Sequence, residues 1–291
     1  MITRISGSSL EKIDSGDSSP RIYLAHNEPL ERIMFDRNLT GVEFRGQCLA
    51  ASQMFVDHFV DEFDPESAAE LLILSKGIVY QLTEAVARQT GKNLATNFIA
   101  TSRVSVAEDH VGVAVSYANF DAPSRTLLIG DTVASGATIT AALDSYREVH
   151  PVDRVFIVSY AGALAGARRI SEYCQRHAIE ATFLFGLAAF GLSSNGFDLS
   201  FLHPDTVTRD EYRRRAEEQF NGRPVSAVGW DFGSQATAPR KYRQLCWIEA
   251  EKWELQGAAC FKDAERPIEM DLLRREEAAY SDIARTLEGE L

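Results

Sequence analysis

The sequence predicts an α/β protein with an open, mostly parallel sheet and helices on both of its faces. Three observations support this fold class. Short apolar runs of strand length recur between residues 71 and 187, segments with helical spacing of apolar residues alternate with them, and the overall composition is that of a globular protein. Short buried strands that alternate with helices are typical of parallel sheets covered on both faces.

The strands and helices of this core follow one another along the chain. The apolar runs predict strands over residues 71–75, 95–101, 111–117, 126–130, 155–160 and 182–187. The spacing of apolar residues predicts helices near residues 78–86, 137–149 and 164–177. No internal repeat of fixed period is visible, which argues against a repeat architecture.

The segments on either side of this core differ from it in composition. Residues 1–20 are rich in serine, glycine and charge, which predicts a flexible N-terminal lead, and residues 21–69 predict a helical appendage. The core is expected over residues 70–204. Residues 205–291 predict a C-terminal appendage, or hood, that ends in an acidic helix.

Charge and cysteine content exclude several classes of protein. The 291 residues include 30 Lys and Arg against 42 Asp and Glu, and the resulting net charge of -12 opposes broad nucleic-acid binding. No apolar run reaches the roughly 18 residues of a membrane span, and the N-terminus lacks a signal peptide, so we expect no membrane partner and a cytoplasmic location. The four cysteines form no C-x-x-C pair, which predicts reduced thiols rather than disulfides or zinc ligands.

A turn after the predicted strand 126–130 carries the strongest functional signal. Asp131 ends the strand, and the small-residue turn 134–138, with the sequence ASGAT, opens a helix. Small residues let backbone N–H groups approach an anion, the two hydroxyls can donate, and the helix N-terminus adds a favourable dipole. The G-x-x-x-x-G-K-[ST] pattern of a Walker loop is absent. The plain alternative is a strand-to-helix turn with serine or threonine capping.

These residues resemble the 5-phosphoribosyl-1-diphosphate loop of the type I phosphoribosyltransferase family, in which one or two acids at a strand end precede a small-residue phosphate turn. Here Gly130 stands at the first acidic place and only Asp131 remains. The resemblance extends from about Glu70 to Pro204, and its layout is most similar to that of uracil phosphoribosyltransferases. It implies the family's α/β fold for this segment.

Two further segments add to the resemblance. Ser75, Lys76 and Gly77 match the family's diphosphate loop, and Arg103 stands where uracil-type members place a diphosphate-binding arginine. Residues 104–124 resemble the flexible hairpin that covers the active site. The alternative for Lys76 and Arg103 is an ordinary solvated side chain.

The resemblance implies transfer of ribose 5-phosphate from 5-phosphoribosyl-1-diphosphate to an acceptor, with release of diphosphate. Asp131, Lys76 and Arg103 would be the catalytic residues, and Asp131 would accept hydrogen bonds from the ribose hydroxyls. Mg2+ would be bound mainly through the donor's diphosphate and water, without a dedicated set of protein ligands. The 5-phosphate would be bound by Ala134, Ser135, Gly136, Ala137 and Thr138.

The acceptor side is less well matched. Leu187 and Ala188 follow the last core strand where uracil-type enzymes read the base, and Trp230 and Asp231 lie in a loop that only partly matches the family's later base-binding loop. The acceptor is either a pyrimidine-like base or a nucleophile of a specialised metabolite or sugar.

Two other functions remain open. One is a regulatory protein that senses 5-phosphoribosyl-1-diphosphate without turnover, and the other is another enzyme on an open α/β sheet, such as a hydrolase of ribose phosphates. A homodimer is expected because related enzymes are commonly dimers or larger.

Overall fold

A computed structural model describes residues 2–4, 10–13, 20–36, 39, 41–74, 76–107 and 110–227, with the backbone alone at residues 2–4, 105–107, 110 and 111. The strands are β1 (Ile2–Arg4), β2 (Leu10–Ile13), β3 (Arg21–Ala25), β4 (Ala68–Leu74), β5 (Ala95–Ala107), β6 (His110–Asn119), β7 (Thr126–Gly130), β8 (Arg154–Ser159), β9 (Gly162–Ala163), β10 (Glu180–Gly186), β11 (Ala188–Leu192), β12 (Leu199–Ser200) and β13 (Val207–Thr208). The helices are α1 (Glu28–Phe35), α2 (Gly41–Phe59), α3 (Leu82–Thr90), α4 (Ala137–Arg147), α5 (Leu164–Arg176) and α6 (Asp210–Gln219).

The main sheet has the strand order β1-β2-β3-β10-β8-β7-β4-β5-β6. Its six central strands, from β3 to β5, are all parallel, and the strand pairs at the two edges are antiparallel. The predicted open, mostly parallel sheet is therefore confirmed.

Helices cover both faces of this sheet because side chains alternate along each strand. On β7, Leu128 packs in the apolar cluster of α1, α2 and α3, whereas Leu127 and Ile129 pack in the cluster of α4 and α5. Both clusters consist of fully or nearly fully buried residues. The prediction of helices on both faces is confirmed.

The N-terminal segment differs from the prediction. Arg21–Ala25 is a core strand, paired in parallel with β10 from Arg21 opposite Thr182 to Ala25 opposite Gly186. Leu10–Ile13 pairs with β3, and its Leu10 and Ile13 side chains are buried. The sheet thus begins before the expected start of the core, and the helical appendage predicted for residues 21–69 is helical only from Glu28 onward.

Other elements also differ in detail. A 3-10 turn, Lys76–Tyr80, precedes α3, so this α-helix begins at Leu82 rather than near residue 78. The two strands expected at residues 95–101 and 111–117 are longer and form one antiparallel hairpin. The strands β9, from before α5, and β11, β12 and β13, from after β10, build a small second sheet that the sequence did not predict. Helix α6 lies within the C-terminal appendage predicted over residues 205–291.

Among the helices that the structure describes, none is long and apolar enough to cross a membrane.

Candidate functional site

The direction of chain winding changes between β4 and β7. From β4 the chain winds outward through β5 to β6, whereas β7 lies on the other side of β4 and is followed outward by β8 and β10. In open α/β sheets, ligands bind in the crevice at the carboxyl ends of strands at such a point. The crevice here is formed by Lys76 and Gly77 after β4 and by Asp131 after β7.

The backbone brings these two loops into close contact. A Cβ built on Gly77 would lie 3.2 Å from the carbonyl oxygen of Gly130, so a larger residue would push the loops apart. Glycine at this position therefore fits the close approach of one loop to the other.

Asp131 is a buried carboxylate at the end of β7. Its side chain is 6% exposed, its backbone N–H donates to Val158 O at 3.2 Å, and its Oδ1 accepts the N–H of Thr132 at 2.8 Å. Burial raises the pKa of Asp131 from its usual 3.8 to about 6, and the hydrogen bond from Thr132 opposes this shift. Burial thus favours the protonated form of Asp131 more than in an exposed aspartate.

Lys76 and Arg103 are brought to the same crevice. Both side chains are exposed, and the positive charge of each lowers the pKa of Asp131, with Lys76 the stronger of the two. Arg103 lies on β5 beyond Ala100, the residue that is level with Leu74 at the end of β4. The three side chains predicted to be catalytic therefore interact electrostatically, two cations around one buried anion.

The predicted phosphate turn opens α4 as expected. Gly136 is the N-cap residue and has a φ of 79°, in the left-handed region that favours glycine. Ser135 and Thr138 are partly exposed, and among the described residues neither hydroxyl has a hydrogen-bond partner. No side chain caps α4. The capping alternative is therefore absent, and both hydroxyls are available to a ligand.

Close packing against α5 holds this turn in place. A Cβ on Gly136 would lie 2.8 Å from the carbonyl oxygen of Gly166, and a Cβ on Gly166 would lie 2.3 Å from the carbonyl oxygen of Ala134. Upstream, Val133 forms a parallel bridge with Gly162, and its N–H donates to Ser159 Oγ at 3.1 Å. The shape of the turn thus depends on residues 26 to 32 positions away, which sequence inspection did not identify.

An aromatic ring fills the place beside Gly130. A Cβ on Gly130 would lie 2.5 Å from Cβ and 2.6 Å from Cγ of Tyr80. The Tyr80 ring is fully buried and stacks on Tyr160, with ring centroids 4.2 Å apart. The absence of an acid at position 130 is therefore matched by a bulky neighbour. The apolar spacing of residues 78–86 placed Tyr80 near a helix but gave no signal for this contact.

Arg103 also touches the loop between β11 and β12. Its guanidinium carbon lies 5.6 Å from the centroid of the Phe197 ring, within cation–π range. The Phe197 side chain is 46% exposed. The hairpin and the second sheet thus meet over the crevice through a residue that the sequence analysis did not single out for this role.

The predicted acceptor residues have other surroundings. Leu187 and Ala188 are fully buried, and Leu187 has a φ of 55°. The Leu187 N–H donates to Ala25 O at 2.9 Å and its carbonyl accepts from Thr208 Oγ1 at 2.8 Å, so both of its backbone groups are already bonded. Ser75, Trp230 and Asp231 lie outside the described residues.

The side chains of the crevice fit Mg2+ that is bound mainly by a phosphate-containing ligand. Among the described residues there is no group of three or more His, Cys, Asp or Glu side chains that could hold a metal ion. One buried carboxylate, Asp131, fits the expected binding of Mg2+ mainly by phosphate oxygens and water.

Comparisons with known proteins give distant structural similarities. No protein-family profile and no curated protein sequence matches the chain. Adenine phosphoribosyltransferase from Trypanosoma brucei, in complex with AMP, pyrophosphate and ribose-5-phosphate, is 11% identical over 71% of this chain and 99% of its own, with a TM-score of 0.41. Orotate phosphoribosyltransferase from Aeropyrum pernix is 13% identical over 49% of this chain and 72% of its own, with a TM-score of 0.33.

A hypoxanthine-guanine phosphoribosyltransferase from Bacillus anthracis is 14% identical over 40% of this chain and 68% of its own, with a TM-score of 0.31. All three proteins are phosphoribosyltransferases, and none of the three is of the uracil type, so the uracil-type layout stays a prediction. Such distant similarity does not assign an activity to this chain, which has to be inferred from its own residues.

Proposed function

We propose that this protein is a phosphoribosyltransferase that binds 5-phosphoribosyl-1-diphosphate at the carboxyl ends of β4 and β7. One observation carries the proposal: a buried carboxylate, Asp131, shares a crevice with Lys76 and Arg103, directly before a glycine-capped helix start. Anion-binding backbone, two cations and one carboxylate together match a ligand with two phosphate groups and ribose hydroxyls between them.

The phosphate turn would bind the 5-phosphate. The N–H groups at the start of α4 have no partner within the helix, so they can donate to phosphate oxygens. The hydroxyls of Ser135 and Thr138 would donate as well. The ribose would then lie over Asp131, whose ionised carboxylate accepts hydrogen bonds from its hydroxyls.

Lys76 and Arg103 would stabilise the departing diphosphate. In the displacement, a lone pair of the acceptor forms the new bond to C1 as the bond from C1 to the diphosphate oxygen breaks, and the acceptor's proton passes to solvent. The bonding electrons leave with the diphosphate, so negative charge grows near the two cations. The oxocarbenium-like character that develops on the ribose is typical of glycosyl transfer. Bound Mg2+ would neutralise further charge on the diphosphate.

The acceptor would enter from the side of the second sheet. Leu187 and Ala188 mark the boundary between β10 and that sheet, and Phe197 contacts Arg103 across the crevice. A pyrimidine-like base or a nucleophile of a specialised metabolite or sugar remains the proposed acceptor class. The homodimer is likewise a proposal, and a monomer at micromolar concentration in light scattering would contradict it.

Calorimetric titration with 5-phosphoribosyl-1-diphosphate and Mg2+ tests the donor site. Asp131→Asn and Ser135→Ala should each weaken binding, by about tenfold or more for loss of a hydrogen bond to a charged group. Asp153→Asn is the matched control because Asp153 lies at the opposite, amino-terminal edge of the sheet, where it pairs with Arg125. Absence of binding by the unmodified protein would refute the proposal.

The second candidate is a sensor of 5-phosphoribosyl-1-diphosphate that does not turn over, and it is raised by the missing acid at position 130. Because the Tyr80 ring leaves no room for a side chain at position 130, Asp131 is the one carboxylate directly after β7. Both candidates predict donor binding, and diphosphate release with any acceptor would exclude the sensor. Binding without release across pyrimidines and hydroxyl nucleophiles would favour it.

A further inference from the structure

A cavity of about 300 Å³ lies beside the phosphate turn, on the face of the sheet covered by α4 and α5. Its volume is at the lower end of the range typical of small-molecule sites, roughly 300–1,000 Å³. The lining includes Gly112 and Val113 of β6, Asp144 of α4, and Arg169, Tyr173 and Arg176 of α5. Ala137 of the phosphate turn also lines it, with Thr140 and Ala141 of α4, whereas Asp131, Lys76 and Arg103 do not. The cavity therefore borders the phosphate turn at Ala137 and lies outside the charged residues of the crevice after β4 and β7.

Two arginines project from one side of α5 into this cavity. Arg169 and Arg176 are seven residues apart, which is about two helical turns, so they lie on the same face of the helix. Both are exposed, and within the described part of the chain neither makes an ion pair with a carboxylate, although Arg176 Nε donates to Glu172 O at 3.3 Å within α5. Arg88 and Arg125, in contrast, each contact one. In a chain of net charge -12, two such cations in one cavity mark a local site for an anion.

The opposite wall presents an acceptor in a fixed position. The Tyr173 hydroxyl donates to Asp144 Oδ1 at 2.7 Å and accepts from Arg147 at 3.0 Å. The guanidinium carbon of Arg147 also lies 5.8 Å from the centroid of the Tyr173 ring. These contacts hold the Asp144 carboxylate at the cavity, where a ligand with hydroxyl or amino groups would donate to it.

We infer that this cavity binds a small phosphate ester that carries hydroxyl or amino groups, for which adenosine 5′-monophosphate is a suitable probe. Its phosphate would lie between Arg169 and Arg176, since guanidinium groups match phosphate oxygens in geometry and charge. Its hydroxyl or amino groups would donate to Asp144. The inference depends on the cavity and its charges alone and does not require the proposed transferase activity.

The ligand would also contact the strand opposite Arg103. In the hairpin, Val113 pairs with Arg103 and Gly112 pairs with Val104. Occupancy of the cavity would therefore order the hairpin at the pair next to Arg103, and amide-hydrogen exchange in β6 should slow. Binding at this site could thus change the position of the Arg103 side chain at the crevice.

NMR titration with adenosine 5′-monophosphate tests the inference at the cavity itself. The Nε–H signals of Arg169 and Arg176 are assigned by their loss in the Arg169→Ala and Arg176→Ala variants. We expect adenosine 5′-monophosphate to shift both signals with one common midpoint. Adenosine lacks the phosphate, so we expect it to leave both signals unchanged. Arg176→Ala should raise the midpoint seen at Arg169 by about tenfold or more.

Arg168→Ala is the matched control, because Arg168 is an exposed neighbour on α5 that does not line the cavity. It should leave the midpoint unchanged. Three results would each overturn the inference: arginine signals that do not move with adenosine 5′-monophosphate, shifts confined to amides of residues 134–138, and equal shifts with adenosine. The second result would indicate binding at the phosphate turn only and would leave the proposed function standing.

Discussion

Tyr80 occupies the space that any side chain at position 130 would need. The distance of 2.5 Å from a Cβ on Gly130 to Tyr80 Cβ is shorter than real Cβ atoms tolerate, and Tyr80 is itself held by its stack on Tyr160. Glycine at 130 and tyrosine at 80 therefore depend on each other, and an acid at 130 requires glycine at 80 or a shift of the Tyr80 backbone.

The first prediction is that Gly130→Ala destabilises the fold through this ring. Overpacking of a filled site costs about 1–3 kcal/mol. The same change made in a Tyr80→Gly background should cost far less, because glycine removes both Cβ and Cγ of Tyr80, the atoms 2.5 and 2.6 Å from the added methyl group. Chemical unfolding of the two single variants and the double variant measures the coupling. Equal costs of Gly130→Ala in both backgrounds would show that the ring is not the obstacle.

The second prediction is that ionised Asp131 lowers the free energy of unfolding at neutral pH. Its pKa is about 6 in the folded protein and near 3.8 when unfolded, so the folded state binds more protons between these values and stability falls as the pH rises through them. Asp131→Asn removes this penalty of about 3 kcal/mol. The variant should therefore gain stability over the unmodified protein from pH 4 to pH 7, as measured by unfolding at each pH.

Asp153→Asn provides a control of opposite sign. Arg125 lowers the pKa of Asp153, so ionised Asp153 contributes stability that is lost as the pH falls through its folded pKa. If Asp131→Asn gave no relative gain toward neutral pH, the carboxylate would not be buried as described.

The third prediction is that the cations control the titration of Asp131. Lys76→Ala removes the stronger of the two favourable charges, so the pKa of Asp131 should rise, and Arg103→Ala should raise it less. The carboxyl carbon-13 signal of Asp131 followed against pH reports the midpoint directly. Arg88→Ala, which breaks an ion pair with Glu84 within α3, should leave it in place. An unchanged midpoint in the Lys76 variant would place that cation away from the crevice.

The fourth prediction distinguishes the backbone strain of a left-handed residue from the steric contact with α5 at Gly136. Gly136 and Gly91 both have left-handed backbone, with φ of 79° and 72°, but a Cβ on Gly136 meets Gly166 O at 2.8 Å and a Cβ on Gly91 meets nothing within 4 Å. Each change to alanine carries the left-handed penalty of about 1–2 kcal/mol. Only Gly136→Ala should also distort the turn and abolish binding of 5-phosphoribosyl-1-diphosphate in calorimetry. Loss of binding in both variants would point to a general effect on folding.

Local sequence was enough to predict the parts of this fold that local sequence controls. The run from Thr126 to Gly130, with the small residues after Asp131, has its strand, turn and helix encoded within about twenty positions, and all three are found there. Strand β3 was missed because five residues at the end of a polar segment resemble the start of a helical region. The two-residue strands of the second sheet are too short to show any periodicity.

At the site, residues placed by strand pairing could be predicted, and residues placed by packing between distant segments could not. Lys76 and Arg103 each follow or extend a predicted strand, so parallel pairing alone brings them to one edge of the sheet. Tyr80, Gly166 and Phe197 reach the crevice through contacts between distant segments, and these depend on how the helices and the second sheet pack.

The bridge between Val133 and Gly162 limits how this protein can be recombined with others. Gly162–Ala163 also pairs with β11, in the register Ala189 opposite Gly162 and Phe190 opposite Ala163. A chimera that replaces residues 188–227 with a foreign module must reproduce this register. Otherwise Gly162 would shift and displace Val133, the residue directly before the phosphate turn. Modules that are interchangeable on this core would therefore share a strand alignment even where they share no sequence.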